Sequence, residues 1–242
     1  MRVTAIVPTL NEEKSIARVV RGCLDHADEA LVIDGGSTDR TRAAAHEAGA
    51  RVVSLERRGK GLATRHAIAT ADSEILVFID ADGSHCPKDI PALTEPIARG
   101  DADLVIGSRA TGGSDELDRD HGHLLRALGS RAILMLVNAV FGTRLTDMQN
   151  GFRAVRTDVA RDLGLREDGF CIEQEMVIRC LSKGYRVTNT PSHEYRRLYG
   201  KSRLRLWPFA PKCAWNLISL LTHSLFTRGT RTPVPPPEVT RL

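Results

Sequence analysis

The chain has 242 residues, 42% of them hydrophobic and 26% charged, with a formal net charge of +4 at pH 7. That length suffices for one substantial core, and the composition excludes a disordered chain or a collagen-like repeat. No apolar run approaches the roughly 20 residues that a membrane-spanning helix needs. Met1 to Pro8 lack the order of basic, apolar and small residues of a secretion signal, so the expected compartment is the cytoplasm.

In chain order, Val3–Val7, Ala30–Ile33, Arg51–Leu55, Glu74–Ile79 and Asp103–Ile106 read as strands. They alternate with helices expected over Glu12–His26, Thr38–Ala48, Gly61–Ala71 and Pro87–Arg99. Runs such as Ile75 to Ile79 are apolar without alternation, which suits a parallel sheet covered on both faces. Polar clusters follow four strands: Pro8 to Glu12, Asp34 to Asp39, Asp80 to Ser84, and Gly107 to Arg109. In an open parallel sheet all of these lie at the carboxyl edge, where such folds bind ligands. Beyond Arg109 a Gly- and Asp-rich loop, Thr111–Gly122, leads to a helix over Leu124–Phe141, a short strand Gly151–Val155, a helix Glu173–Lys183 and a strand Tyr185–Thr190.

No linker divides the chain, so residues 1–205 are expected to form one domain, followed by an amphipathic helix over 206–227 and a Pro-rich tail over 228–242. From Arg186 to Lys212 seven Lys or Arg stand against the single acid Glu194, a stretch that attracts anions. Cys23, Cys86, Cys171, Cys180 and Cys213 include no C-x-x-C pair and are expected to be reduced thiols.

Asp80 and Asp82, two residues apart at a strand end, can reach one hard cation together, and Mg²⁺ or Mn²⁺ held this way keeps positions open for substrate phosphate. Alternatively these acids cap the helix that begins near Pro87. Asp34 to Asp39 can likewise be a glycine-rich turn, and Lys60-Gly61 a solvated loop. No G-x-G-x-x-G opens the first helix and no P-loop occurs, so hydride transfer and ATP hydrolysis of those designs are disfavoured.

Taken in order, Val7 to Glu12, Asp34 to Asp39, Gly59-Lys60-Gly61, Asp80 to His85, Gly107 to Arg109, Asp147 to Arg153 and Arg197 to Ser202 resemble a family 2 glycosyltransferase. The resemblance is nearest to dolichol-phosphate mannose synthases and related polyprenyl-phosphate glycosyltransferases, and covers about residues 3 to 205. It implies a GT-A fold, an α/β, Rossmann-like open and mostly parallel sheet flanked by helices, here with a C-terminal helical extension. It implies Pro8, Asn11, Glu12, Asp34 and Lys60 around the donor nucleotide, with Asp34 toward base or ribose, and Asp80 and Asp82 at the diphosphate and its metal. Arg109, Arg126, Ser130 and Arg197 match the acceptor-phosphate region, and Asp82 joins Arg109, Arg126 and Arg197 as the catalytic set. Arg126 and Ser130, four apart, share a helix face, and guanidinium groups bind phosphate oxygens in pairs.

The implied reaction is inverting transfer of one hexose, mannose or glucose, from GDP-mannose or UDP-glucose to dolichyl or polyprenyl phosphate, with Mg²⁺ or Mn²⁺. A phosphate acceptor has a second pKa near about 6 and needs no general base. Asp147, Glu173 and Glu175 remain candidates for sugar contacts, or for a base if the acceptor is a hydroxyl. Leu10, Gly35, Ser84, Cys171 and Gln149-Asn150 depart from the family pattern, which leaves donor identity open rather than reaction class. Trp207–Phe226, behind the basic stretch, suits a helix lying on an anionic membrane surface or one packed in the core. Peripheral contact with the cytoplasmic face of a membrane is therefore expected, and no nucleic-acid partner. The alternatives are a soluble hydroxyl acceptor, or a non-catalytic nucleotide-sugar-binding protein.

Overall fold

The computed structural model describes residues 1–115, 121–197, 199 and 218–222, with backbone alone for 121–128. The elements are β1 (Val3–Thr9), α1 (Ile16–Leu24), β2 (Glu29–Asp34), α2 (Thr41–Glu47), β3 (Arg51–Ser54), α3 (Lys60–Thr70), β4 (Ile75–Phe78), α4 (Ile90–Ala98), β5 (Leu104–Ser108), α5 (Arg109–Gly112), α6 (His121–Phe141), β6 (Arg153–Arg156), α7 (Thr157–Asp162), α8 (Ile172–Ser182) and β7 (Val187–Pro191). Seven strands form one sheet in the order β3-β2-β1-β4-β6-β5-β7. All neighbours are parallel except β6, which runs antiparallel to both β4 and β5.

Period-two alternation within the buried strands splits the core into two layers. On one face Ile6, Leu31, Ile33, Leu76, Phe78, Leu104 and Ile106 pack with Ala63, Ala67, Met176 and Val177 of α3 and α8. On the other, Ala5, Val7, Val32, Val77, Val105 and Ala154 pack with Ile16, Val19, Val20 and Cys23 of α1 and Ile90, Leu93 and Ile97 of α4. α1, α3 and α4 offer these side chains at spacings of three and four, one apolar stripe per helix, whereas α8 is buried on most of its faces. The result is a GT-A-type layer of helices on each side of a mostly parallel sheet, as expected.

Local chemistry trims the expected helices. The Glu12 carbonyl accepts the Ser15 and Ile16 amides, so the segment expected to open a helix at Glu12 turns first and becomes helical at Ile16. Pro87–Asp89 is a 3₁₀ turn before α4, since Pro91 has no N–H to donate to the Pro87 carbonyl and no α-helical bond can close there. α6 is described from His121, ahead of the expected Leu124.

Cys23, Cys86 and Cys180 are free thiols. Cys171 is disulfide-bonded, which corrects the expectation of reduced thiols there: lack of a C-x-x-C pair says nothing about cysteines distant in sequence that the fold brings together. Cys213 lies outside the described residues. Of the helix expected over 206–227, residues 218–222 are described and helical, with Leu221 buried in the core and Ile218 exposed; the rest, and the tail, lie outside the described residues. Among the described residues no helix is long and apolar enough to cross a membrane.

Candidate active site

Parallel strands β1, β2, β4 and β5 deliver their carboxyl ends to one edge, and the loops there interlock. Asn11 adopts a left-handed conformation, φ 52°, which Asn tolerates better than most residues. From it the Asn11 amide donates to Ser37 Oγ at 2.8 Å, Asn11 Oδ1 accepts the Thr38 amide at 2.8 Å, and the Glu12 amide donates to Thr41 Oγ1 at 2.8 Å. Asp34 is fully buried, and its carboxylate accepts the amides of Gly36 and Ser37 and the Ser37 hydroxyl. Asp34, expected toward base or ribose, thus has its oxygens on the turn of its own loop, an arrangement Asp favours because its short side chain reaches amides two and three residues on.

Lys60 opens α3 beside this loop system. Gly59 and Gly61 let the backbone of Glu167 and Asp168 cross the start of α3, where a Cβ on Gly61 would stand 2.2 Å from the Glu167 carbonyl oxygen. Asp168 accepts the Gly61 and Leu62 amides at 3.0 and 3.2 Å, satisfying donors that a helix start leaves open. Lys60 Nζ is thereby placed 2.7 Å from both Asp80 Oδ1 and Glu173 Oε1. Burial works against ionisation of Asp80, but the Lys60 ammonium outweighs it and holds the carboxyl down at about 2. Burial likewise disfavours charge on Lys60, and Asp80 and Glu173 reverse that, holding its pKa above the ordinary lysine value.

Asp82 Oδ1 accepts the Ser84 amide at 2.9 Å, while Oδ2 meets Arg197 Nη2 at 2.8 Å; Arg197 Nη1 lies 3.7 Å from Glu12 Oε1. The capping alternative for these acids fails, because Cys86 occupies the cap of the turn at Pro87 and no side chain caps it. His85, absent from the expected site residues, is buried with its ring stacked on Phe152 at 5.2 Å between centroids and Nε2 3.9 Å from Asp80 Oδ2. Burial lowers its pKa despite the adjacent acids, and Nδ1 has no hydrogen-bond partner.

At the end of β5 Arg109 grips Asp147 through Nε at 2.7 Å and Nη2 at 3.2 Å, and Nη1 lies 3.7 Å from Glu194. Burial disfavours ionisation of Asp147, and Arg109 more than compensates, depressing the carboxyl below its ordinary value. The same carboxylate accepts the Gln149 and Asn150 amides, and Ser130 Oγ donates to Gln149 Oε1 at 2.6 Å. Arg126 lies on α6 one turn before Ser130; its side chain is outside the described residues. Arg197 does not join Arg109 directly but stands against Asp82 and Glu12. The two groups are tied by the segment after β7: Glu194 bridges to Ser114, and the Tyr195 amide donates to the Ser84 carbonyl at 2.8 Å.

Glu175, a candidate sugar contact or base, is buried with its oxygens on the Arg166 and Glu167 amides and Arg179 Nε, so it anchors the loop before α8. Pro8, Lys60, Asp80, Gly151, Arg153 and Glu173 line a narrow cleft. Arg153 was not foreseen as a site residue, since a strand arginine gives no sequence signal of burial.

Asp80 and Asp82 supply hard oxygen ligands, but no three His, Cys, Asp or Glu among the described residues are grouped to hold a metal by themselves. Of the charged residues lining the cleft, Asp80 and Glu173 face Lys60 and Arg153, and the Asp80 and Asp82 carboxylates fit a divalent cation that takes its remaining ligands from phosphate and water, as Mg²⁺ does.

Residues 4–164 match the model of a family described as glycosyl transferase family 2. Among curated proteins the chain is 35% identical over 202 residues to glycosyltransferase AglJ of Haloferax volcanii, covering 81% of this chain and 63% of AglJ, somewhat under two thirds of that relative's length. It is 30% identical to a dolichyl-phosphate hexose transferase of the same organism, covering 86% of this chain and 88% of the relative. Among solved structures, glucosyl-3-phosphoglycerate synthase from Mycobacterium tuberculosis in complex with Mn²⁺, UDP and glucosyl-3-phosphoglycerate superposes with a TM-score of 0.68 at 24% identity, covering 92% of this chain and 79% of that one. The same enzyme with Mg²⁺ and UDP gives a TM-score of 0.68 at 25% identity.

Proposed function

Because the chain belongs to glycosyltransferase family 2, we propose that it transfers one hexose, with inversion, from a nucleoside diphosphate sugar to a dolichyl or polyprenyl phosphate. One observation carries the choice of acceptor: each carboxylate that could act as a base is already committed to a cation. Asp147 is held by Arg109, Glu173 by Lys60 and Glu175 by Arg179. A carboxylate already committed to a cation is a poor proton acceptor, whereas a phosphate monoester needs none removed. The 30% identical dolichyl-phosphate hexose transferase supports the same acceptor class.

In this reading a phosphate oxygen of the acceptor attacks the anomeric carbon as the bond from that carbon to the nucleoside diphosphate breaks. Arg109, Arg126, Ser130 and Arg197 hold and orient the acceptor phosphate, and Lys60 balances charge beside the departing diphosphate. Asp80 and Asp82 would hold a divalent ion, which supplies neutralisation of the diphosphate's charge. The protein's own work is alignment of two anions that otherwise repel each other, a contribution made through position rather than proton transfer. The domain spans residues 1–205, and the segment 206–227 brings it to the cytoplasmic face of a membrane.

Incubation with Mn²⁺, a short polyprenyl phosphate and a panel of GDP- and UDP-sugars, followed by mass analysis, is expected to yield a hexosyl phospholipid. Transfer to soluble hydroxyl acceptors but never to the phospholipid would overturn the reading. Arg197→Ala is expected to abolish transfer while nucleotide binding persists. Sedimentation with anionic liposomes at low salt checks the membrane contact; protein left wholly in the supernatant counts against it.

A further inference from the structure

Arg153 is 1% exposed and lies on β6 opposite Phe78 of β4 and Ile106 of β5, facing a layer otherwise made of apolar side chains. For packing alone an aliphatic residue would serve there, and a buried charge is costly unless it is fully hydrogen-bonded. No carboxylate among the described residues forms an ion pair with it; its nearest acids, Asp147 and Glu173, are held by Arg109 and Lys60. Its donors go instead to main-chain carbonyls. Nε donates to Asn150 at 3.0 Å, Nη2 to Met148 at 3.2 Å and also to Asn150, and Nη1 to Glu173 at 2.8 Å.

Those carbonyls belong to two segments that meet nowhere else in the site's ion pairs. Met148 and Asn150 lie in the loop whose Asp147 receives Arg109, while Glu173 opens α8 and reaches Lys60, which in turn holds Asp80. We propose that Arg153 is a positioning residue that fixes the spacing between the donor half of the site, Lys60, Asp80 and Glu173, and the acceptor half, Arg109 and Asp147. Its forked, planar guanidinium can bind both segments at once, which the single ammonium of lysine cannot do with the same geometry. This rests on the glycosyl-transfer reading above and deepens it.

The test uses Arg153→Lys. Without ligand, hydrogen exchange is expected to accelerate at least tenfold at residues 148–152 and 173–176 together, with β1 and β2 unchanged. Acceleration in only one segment, or in neither, overturns the proposal. With substrates, kcat per folded molecule is expected to fall about 100-fold, the effect of roughly 1 Å of misplacement, while both KM values stay within about threefold. A residue that only stabilises the core would lower the melting temperature and leave kcat per folded molecule intact. That result, or a loss confined to one KM, refutes the coupling. Should the lysine variant not fold, a double-mutant cycle of Asp147→Asn and Glu173→Gln in kcat decides: coupling is expected to exceed about threefold, and additivity overturns the idea. Failure of the glycosyl-transfer reading would show differently, as wild-type protein without turnover, and the exchange experiment would still decide the role of Arg153.

Discussion

Gly151→Ala separates the integrity of the site from the stability of the fold. An added Cβ at Gly151 would stand 2.8 Å from Lys60 Nζ and 2.9 Å from Asp80 Oδ2, and φ there is not positive, so the obstacle is steric rather than conformational. Ordinary contact begins near 3.4 Å, so both tips must withdraw by roughly 0.5 Å. Tips of flexible side chains yield cheaply, and the cost belongs at the low end of overpacking, about 1 kcal/mol. For a chain of this length that lowers Tm by about 2–4 °C. Function is less forgiving, because ligand oxygens must keep their positions to within about 0.2 Å. Binding of a nucleoside diphosphate with Mn²⁺, followed by calorimetry, should therefore weaken at least about tenfold, or 1.4 kcal/mol. Gly129→Ala is the control: among the described residues no heavy atom outside its own stretch of α6 lies within 4 Å of the added carbon, and the helix should gain up to about 1 kcal/mol. Wild-type nucleotide binding by a folded Gly151→Ala protein would refute the reasoning.

Two further variants probe parts of the structure removed from transfer itself. Glu175→Ala strips a buried carboxylate from the Arg166 and Glu167 amides and Arg179, and should cost about 3–5 kcal/mol; a melting temperature within 2 °C of wild type would contradict its anchoring role. Asp103, at the opposite edge of the sheet, is disfavoured as an anion by burial, but Arg186 and Arg156 overcome this and hold its pKa below the ordinary value. Its contribution to stability is therefore complete above the unfolded pKa of about 3.9 and is lost as pH falls through the lower folded value. Asp103→Asn should destabilise the protein at pH 7 and flatten the acid limb of its stability curve, and an unchanged limb in acid titrations of urea unfolding would disprove the assignment.

The first half of the fold was readable because β1, β2, β4 and β5 are continuous apolar runs, each followed by polar residues, and a parallel sheet carries both features. The direction and place of β6 were not: Arg153 to Val155 carries no mark of antiparallel pairing or of insertion between β4 and β5. The pairing of acids with cations was half legible. Asp80, Asp82, Lys60, Arg109 and Asp147 share one cleft edge, yet sequence alone could not say that Lys60 would take both Asp80 and Glu173. The amide contacts of Asp34 and Glu175 were not legible, since an acid that organises backbone amides has the same sequence appearance as one that awaits a ligand. His85 and Arg153 escaped because burial of a polar side chain depends on partners distant in the chain.

The topology also dictates how the chain must assemble. β5 leaves the ribosome before β6, yet its partners are β6 and β7, and the free side of β4 likewise waits for residues 153–156. Until then a nascent chain carries one open edge on β4 and one orphan apolar strand, the surfaces most prone to pairing with other chains. Truncations that end before Arg153 should aggregate. Those that reach Pro191 can close the sheet, so the late reversed strand is the keystone of folding as well as the neighbour of the cleft.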